Sequence, residues 1–203
     1  MKVIAIGRNY ADHAKELNNP LPSEPVFFMK PDTAIVKGNK PFFLPDFSHE
    51  IHHEVEIVLK INKVGKNIAG KFAHRYFGEI GIGIDFTARD IQAKCKEKGL
   101  PWEIAKAFDN SAPVGEFLPK DQFTDLNDIN FRLAINGITV QKGNTSDTIF
   151  KFDKLIEYVS KYVTIKLGDL LFTGTPSGVG PVKIGDHLQA YIEDKCLLDF
   201  HVR

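Results

Sequence analysis

The stretch His52-His53-Glu54-Val55-Glu56-Ile57-Val58-Leu59 does most to limit what this chain can fold into. As a strand it sends Val55, Ile57, Leu59 and Ile61 to one face and Glu54 and Glu56 to the other. The two carboxylates then stand roughly 6.6 Å apart, close enough to share a cation and too far to bond each other. A second apolar run, Gly81-Ile82-Gly83-Ile84, ends on a third acid, Asp85. Three convergent carboxylates with no cysteine or clustered histidine among them suit a hard divalent ion such as Mg2+ or Mn2+. A strand with one wet face shows the same alternation, so the local pattern leaves both readings open.

At 203 residues, 43% of them apolar, the chain can bury one substantial core and reads as a single domain. Lys plus Arg (26) equals Asp plus Glu (26), so no net field draws it to nucleic acid or a membrane. No apolar run reaches transmembrane length, and Met1–Gly7 lacks the apolar segment of a signal peptide. A soluble cytoplasmic protein that works on small molecules is the expectation. Cys95 and Cys196 make no disulfide framework and are expected as buried, reduced thiols.

Along the chain, Val3–Ile6 predicts a strand and Tyr10–Leu17 a short helix stopped by Asn18-Asn19-Pro20. Six prolines between Pro20 and Pro45, with Phe residues recurring among them, predict extended chain and loops wrapped on a core. One helical turn is expected near Phe72–Tyr76, a strand over Glu79–Ile84, and then a helix with Thr87 as N-cap, Asp90 as its partner and Gly99-Leu-Pro101 as its end. Asn136-Gly137 suits a type I′ hairpin turn, and Leu155, Ile156, Val159 and Tyr162 have helical spacing. Ile165–Asp169 and Val182–Asp186 each read as a turn feeding a strand. This strand-rich order, without regular β-α alternation, predicts an α+β fold on a rolled or sandwiched sheet with short flanking helices.

Four further constellations bear on chemistry. His13 and Glu16 share a helix face at i, i+3, and a carboxylate beside an imidazole makes a general base. Arg89 and Gln92 share a face just after Asp85 and can receive an anionic group. Lys106, flanked by Ile104, Ala105, Ala107 and Phe108, needs an anion if it is buried. The loop Thr173–Pro181, with three glycines and several hydroxyls after a strand, can offer N–H groups and the Thr175 hydroxyl to a carboxylate. It lacks the lysine of a P-loop and the chain has no G-x-G-x-x-G, which disfavours ATP or dinucleotide binding. Each of the four also has a plain reading, as a surface pair, a solvated helix face, a snorkelling lysine or an ordinary turn.

Together, Gly7-Arg8-Asn9-Tyr10-Ala11-Asp12-His13, His53–Glu56, Gly83–Gln92, Ala105–Asp109 and Thr173–Gly180 resemble, in order and spacing, the fumarylacetoacetate hydrolase superfamily along nearly the whole chain. The short acylpyruvase and oxaloacetate-decarboxylase branch is the most similar. That resemblance implies the β-roll or sandwich of the fumarylacetoacetase C-terminal domain and a homodimer. It further implies residues 1–45 as N-terminal strand, lid helix and wrapping segment, and residues 46–203 as a metal-binding β core. By the same resemblance Glu54, Glu56 and Asp85 hold Mg2+ or Mn2+, His13 and Glu16 act from the lid, Lys106 is catalytic, and Arg89, Gln92 and Thr175 contact a small 2-oxo acid substrate. The activity it implies first is hydrolysis or decarboxylation of β-dicarbonyl 2-oxo acids, acylpyruvates or oxaloacetate, through a metal-stabilised enolate. Oxaloacetate tautomerisation, or hydration and isomerisation of 2-oxo-dienoates, is the alternative. A non-catalytic metal-stabilised domain would have no use for His13 and Lys106.

Overall fold

The computed structural model describes residues 1–16 and 20–203. Its strands in chain order are β1 (Val3–Gly7), β2 (Val26–Lys30), β3 (Ile35–Val36), β4 (Ile51–His53), β5 (Val55–Ile61), β6 (Phe77–Ile84), β7 (Thr87–Ala88), β8 (Ala112–Pro119), β9 (Asn130–Ile135), β10 (Ile138–Asn144), β11 (Leu170–Phe172), β12 (Gly180–Pro181), β13 (His187–Ile192) and β14 (Lys195–His201). The helices are short: α1 (Ala11–Glu16), α2 (Gly70–Ala73), α3 (Arg89–Lys98), α4 (Glu103–Lys106) and α5 (Phe152–Tyr162). A seven-stranded mixed sheet runs β2-β1-β11-β5-β6-β8-β3, beside a four-stranded sheet β10-β9-β13-β14 and a small sheet β12-β4-β7. This is the α+β architecture expected from the sequence.

β5 lies between β11 and β6, and both of its faces are covered. Val55, Ile57, Leu59 and Ile61 enter the larger core, whereas Val58 joins a second cluster with Val3, Val114 and Phe172. The supposed wet face is therefore buried up to half-exposed Lys60, which explains why the strand is apolar apart from Glu56 and Lys60. The chain crosses between sheets at Glu54. His52 and His53 belong to β4, which pairs with β7 and β12, so a single strand from His52 to Leu59 does not form. Pairing of β5 with β6 sets Glu56 opposite Gly83, and the Asp85 N–H donates to the Glu54 carbonyl at 2.8 Å. The three acids thus arrive on adjacent strand ends. Gly83 permits this approach: a Cβ there would lie 2.7 Å from the Phe172 ring and 3.0 Å from the Pro113 carbonyl oxygen.

The proline-rich segment contains more order than loops. β2 and β3 form the two edges of the large sheet, where prolines 25 and 31 bracket β2 without breaking an interior ladder. The start of α3 also differs from expectation. Thr87 is in β7, where its hydroxyl donates to the Asp85 carbonyl at 3.3 Å, and the helix begins at Arg89. Extended pairing with β4 continues to the bond from Arg89 N–H to the Glu50 carbonyl and postpones the helix. Asp90 instead accepts from the Ser48 hydroxyl at 2.6 Å. The hairpin forms as expected, with Asn136 and Gly137 at φ 53° and 81°. Cys95 is buried, but Cys196 is exposed because β14 is an edge strand. The predicted end of α1 at Leu17–Asn19 lies outside the described residues, and among those described no helix is long and apolar enough to cross a membrane.

Candidate metal centre and active site

Glu54, Glu56 and Asp85 are 5%, 1% and 1% exposed, and their donor oxygens lie within 4.8 Å of one another. Burying like charges together is unfavourable unless cations offset them. Three lysine or arginine side chains do so. Lys106 donates from Nζ to Glu54 Oε2 and to Asp85 Oδ2, each at 2.8 Å. Arg89 Nη2 donates to Glu54 Oε1 at 2.6 Å, and Nη1 donates to Gln92 Oε1 at 2.8 Å. Lys30, on the inner end of β2, sets Nζ 2.6 Å from Asp85 Oδ1 and donates to the Ser111 hydroxyl and carbonyl at 2.9 and 3.0 Å. Asp85 Oδ1 is close enough to Lys30 for an ion pair, yet lies outside hydrogen-bond alignment and has no hydrogen bond of its own.

These contacts divide the acids. Burial opposes ionisation of Glu54, but Lys106 and Arg89 overcome it and hold this carboxyl well below the usual range. Glu56 is pushed well above it by burial and then by the charges of Asp85 and Glu54, against which the Gly174 N–H, 2.6 Å from Oε2, and the Lys106 charge act the other way. Lys106 is kept charged: burial is outweighed by Asp85 and Glu54. A dry cluster of three oxygen donors, one with an oxygen held by an ion pair alone and one poor in counter-charge, fits a hard divalent cation of the Mg2+ or Mn2+ kind.

The remaining predicted residues surround the same pocket, which His13, Arg89, Gln92, Lys106 and Thr175 line together with the three acids. His13 is 6% exposed, and its Nδ1 lies 3.1 Å from Glu16 Oε2. An ionised carboxylate only accepts, so Nδ1 carries the hydrogen and Nε2 is left as the base. The other Glu16 oxygen accepts from the Gly178 N–H at 2.9 Å, which ties α1 to the glycine-rich loop. The glycines therefore serve the protein's own carboxylates, Glu56 and Glu16, rather than a bound anion. Gly174 makes its bond at φ 102°, where a Cβ would also meet the Asn9 Cβ at 2.7 Å. Arg89 pairs with Glu54 and not with Asp85, its neighbour in sequence, and His52 reaches the acids only through Arg89 Nε, at 3.5 Å.

Two supports escape the sequence reading. One is Lys30. The other is Gln141, 1% exposed, whose Oε1 accepts from His53 Nδ1–H and the Val55 N–H while Nε2 donates to the Thr175 hydroxyl and the Pro176 carbonyl. That amide locks β4, β5 and the glycine loop into one frame. A lysine ending the apolar run Val26–Met29 was a signal for the first; nothing local marks the second.

The model of the fumarylacetoacetate (FAA) hydrolase C-terminal region matches residues 2–203. A mitochondrial oxaloacetate decarboxylase of Dictyostelium discoideum is 45% identical over 94% of this chain and 88% of its own length. A mitochondrial oxaloacetate tautomerase of mouse is 42% identical over 99% of this chain and 91% of its own. Among solved structures, fumarylpyruvate hydrolase from Pseudomonas aeruginosa, in complex with Mn2+ and pyruvate, superposes with a TM-score of 0.94 at 34% identity, covering 100% of this chain and 89% of that one. With the carboxylate cluster, the fold and these matches in agreement, the chain belongs to the fumarylacetoacetate hydrolase family.

Proposed function

We propose that this chain is a Mg2+- or Mn2+-dependent enzyme of β-dicarbonyl 2-oxo acids, acting first on oxaloacetate, which it tautomerises and decarboxylates by way of an enolate. The observation that carries the reading is the Lys106 ammonium seated between Glu54 and Asp85 in the same pocket as the His13–Glu16 pair, an enolate sink beside a base. The names of the 45% and 42% identical relatives support oxaloacetate ahead of the acylpyruvates that the sequence put first. Held by Glu54, Glu56 and Asp85, the metal supplies Lewis-acid polarisation of the 2-oxo group.

The chain's own residues divide the remaining tasks. Arg89 and Gln92, already hydrogen-bonded to each other, present one preassembled donor surface to the substrate carboxylate. Lys106 places a buried positive charge where enolate charge develops. For tautomerisation, His13 Nε2 takes a proton from the carbon between the two carbonyls and returns it to the enol oxygen. For decarboxylation, the bond to the distal carboxylate breaks, CO2 leaves, and a proton taken up from solvent passes through His13 Nε2 to the carbon of pyruvate enolate. Neither path consumes water.

The His13–Glu16 pair also favours a second reading, acylpyruvate hydrolysis, in which His13 takes the proton of an attacking water and C–C cleavage leaves the same enolate. We take residues 1–203 as one catalytic unit, with 1–45 supplying α1 as lid and 46–203 the carboxylates, and the working form as a homodimer, which light scattering tests. A cytoplasmic location draws no support from relatives named as mitochondrial. The deciding assay follows loss of oxaloacetate enol absorbance and release of pyruvate with Mg2+ present. His13→Ala is expected to slow turnover by about 100-fold or more with Mg2+ affinity kept. Unchanged turnover removes His13 from its role.

A further inference from the structure

The pocket holds more positive charge than its own acids use. At the floor, Glu54 and Asp85 are met by Lys30, Lys106 and Arg89. Arg8, Lys96 and Trp102 line the same pocket, and no carboxylate among the described residues pairs with Arg8 or Lys96. The Lys96 ammonium lies 5.7 Å from the centre of the Trp102 ring, a weak cation–π contact. Though its helix position is exposed, its affinity for a proton is lowered by partial burial and then by the charges of Arg89 and Arg8, with Glu54 acting the other way. Arg89 has Glu54, but Arg8 and Lys96 have no paired anion among the described residues, and Arg8 sits at φ 60°, a left-handed conformation that costs a non-glycine residue about 1 kcal/mol. Strain and uncompensated charge thus coincide at one place on the pocket wall.

We propose that Arg8 and Lys96, backed by the Trp102 indole, form a second anion subsite that receives the distal carboxylate of a dicarboxylic 2-oxo acid and selects it over monocarboxylic analogues. This rests on the oxaloacetate reading above and adds the residues that recognise the far end of the substrate. Arg89 and Gln92 serve the 2-oxo acid end; Arg8 and Lys96 serve the other. The subsite is specific to charge and not to reaction type, so inert acids report on it.

The test compares binding of 2-oxoglutarate and 2-oxobutyrate to the Mg2+-loaded protein by calorimetry. Both carry the 2-oxo acid head, only the first has a second carboxylate, and neither is a β-dicarbonyl. The native chain should prefer 2-oxoglutarate by tenfold or more, a preference that declines as salt rises. Lys96→Gln, at an exposed helix position, should cut the preference by roughly 5–10-fold, and the double change with Arg8→Gln should abolish it. Lys98→Gln, on the same helix but outside the pocket, should leave it intact. Equal affinity for the two acids in the native chain, or a preference that survives in Lys96→Gln, overturns the subsite. Oxaloacetate turnover without the preference would refute the subsite and spare the proposed function; the preference without turnover would do the reverse.

Discussion

Lys30→Met offers the sharpest test of how the acid cluster is held together. Methionine fills the space of the lysine stem, so packing is largely kept and the change removes one buried charge. Lys30 is 1% exposed and, among the described residues, supplies the only cation within ion-pair distance of Asp85 Oδ1; Lys106 stays on Oδ2. Removing one member of a buried pair costs about 3–5 kcal/mol, and the surviving Lys106 contact puts this case near 3 kcal/mol. The Ser111 hydroxyl adds little, because it still donates to the Lys106 carbonyl at 3.0 Å. For a chain of this length about 3 kcal/mol lowers the melting midpoint by roughly 6–12 °C. A divalent ion in the triad replaces the missing positive charge and no longer competes with Lys30 for Asp85. Thermal unfolding in EDTA and in saturating Mg2+ should therefore show a deficit of roughly 6–12 °C without metal that shrinks by about half or more with it. A deficit under about 2 °C in EDTA, or one that Mg2+ does not change, refutes the idea that cation balance around Asp85 sets stability.

Three further expectations use the same geometry. Glu56 binds a proton more readily folded than unfolded, so the metal-free protein should lose stability as pH rises from the ordinary glutamate value through its raised one; Glu56→Gln should flatten that slope, and Mg2+ stabilisation should grow with pH as the ion displaces the proton, both read from melting midpoints across a pH series. Gln141→Leu strands the His53 and Val55 donors and frees Thr175, and should cost about 3 kcal/mol in urea titration while raising KM for oxaloacetate. Gly174→Ala meets both a φ of 102° and the Asn9 Cβ at 2.7 Å, and should cost about 2–4 kcal/mol by the same titration, with weakened Mg2+ binding because the Glu56 partner moves.

What was legible in the sequence tracks the distance over which each feature is encoded. The faces of β5, the Asn136-Gly137 turn and the α5 stripe follow from neighbours within a few positions, where period and φ preference act directly. The grouping of Glu54, Glu56 and Asp85 needed only that two apolar runs pair, since both end on acids. The counter-charges obey no such rule. Lys30 meets Asp85 across 55 positions, Arg89 meets Glu54 across 35, and Gln141 reaches Val55 across 86. The last two separations follow from how separate sheets join, which hydrophobic alternation does not encode. Arg89 shows the consequence most clearly. Helical spacing sets it beside Gln92 on a face open to an anionic group, but β7 extends the chain before α3 begins, and the guanidinium also reaches Glu54. With Arg89 on Glu54, Asp85 is left to Lys106 and Lys30, and Glu56 has no ion pair among the described residues. The acid left without a lysine or arginine is then the position where a divalent ion gains most, so the metal preference of the cluster is set by where its cations are not.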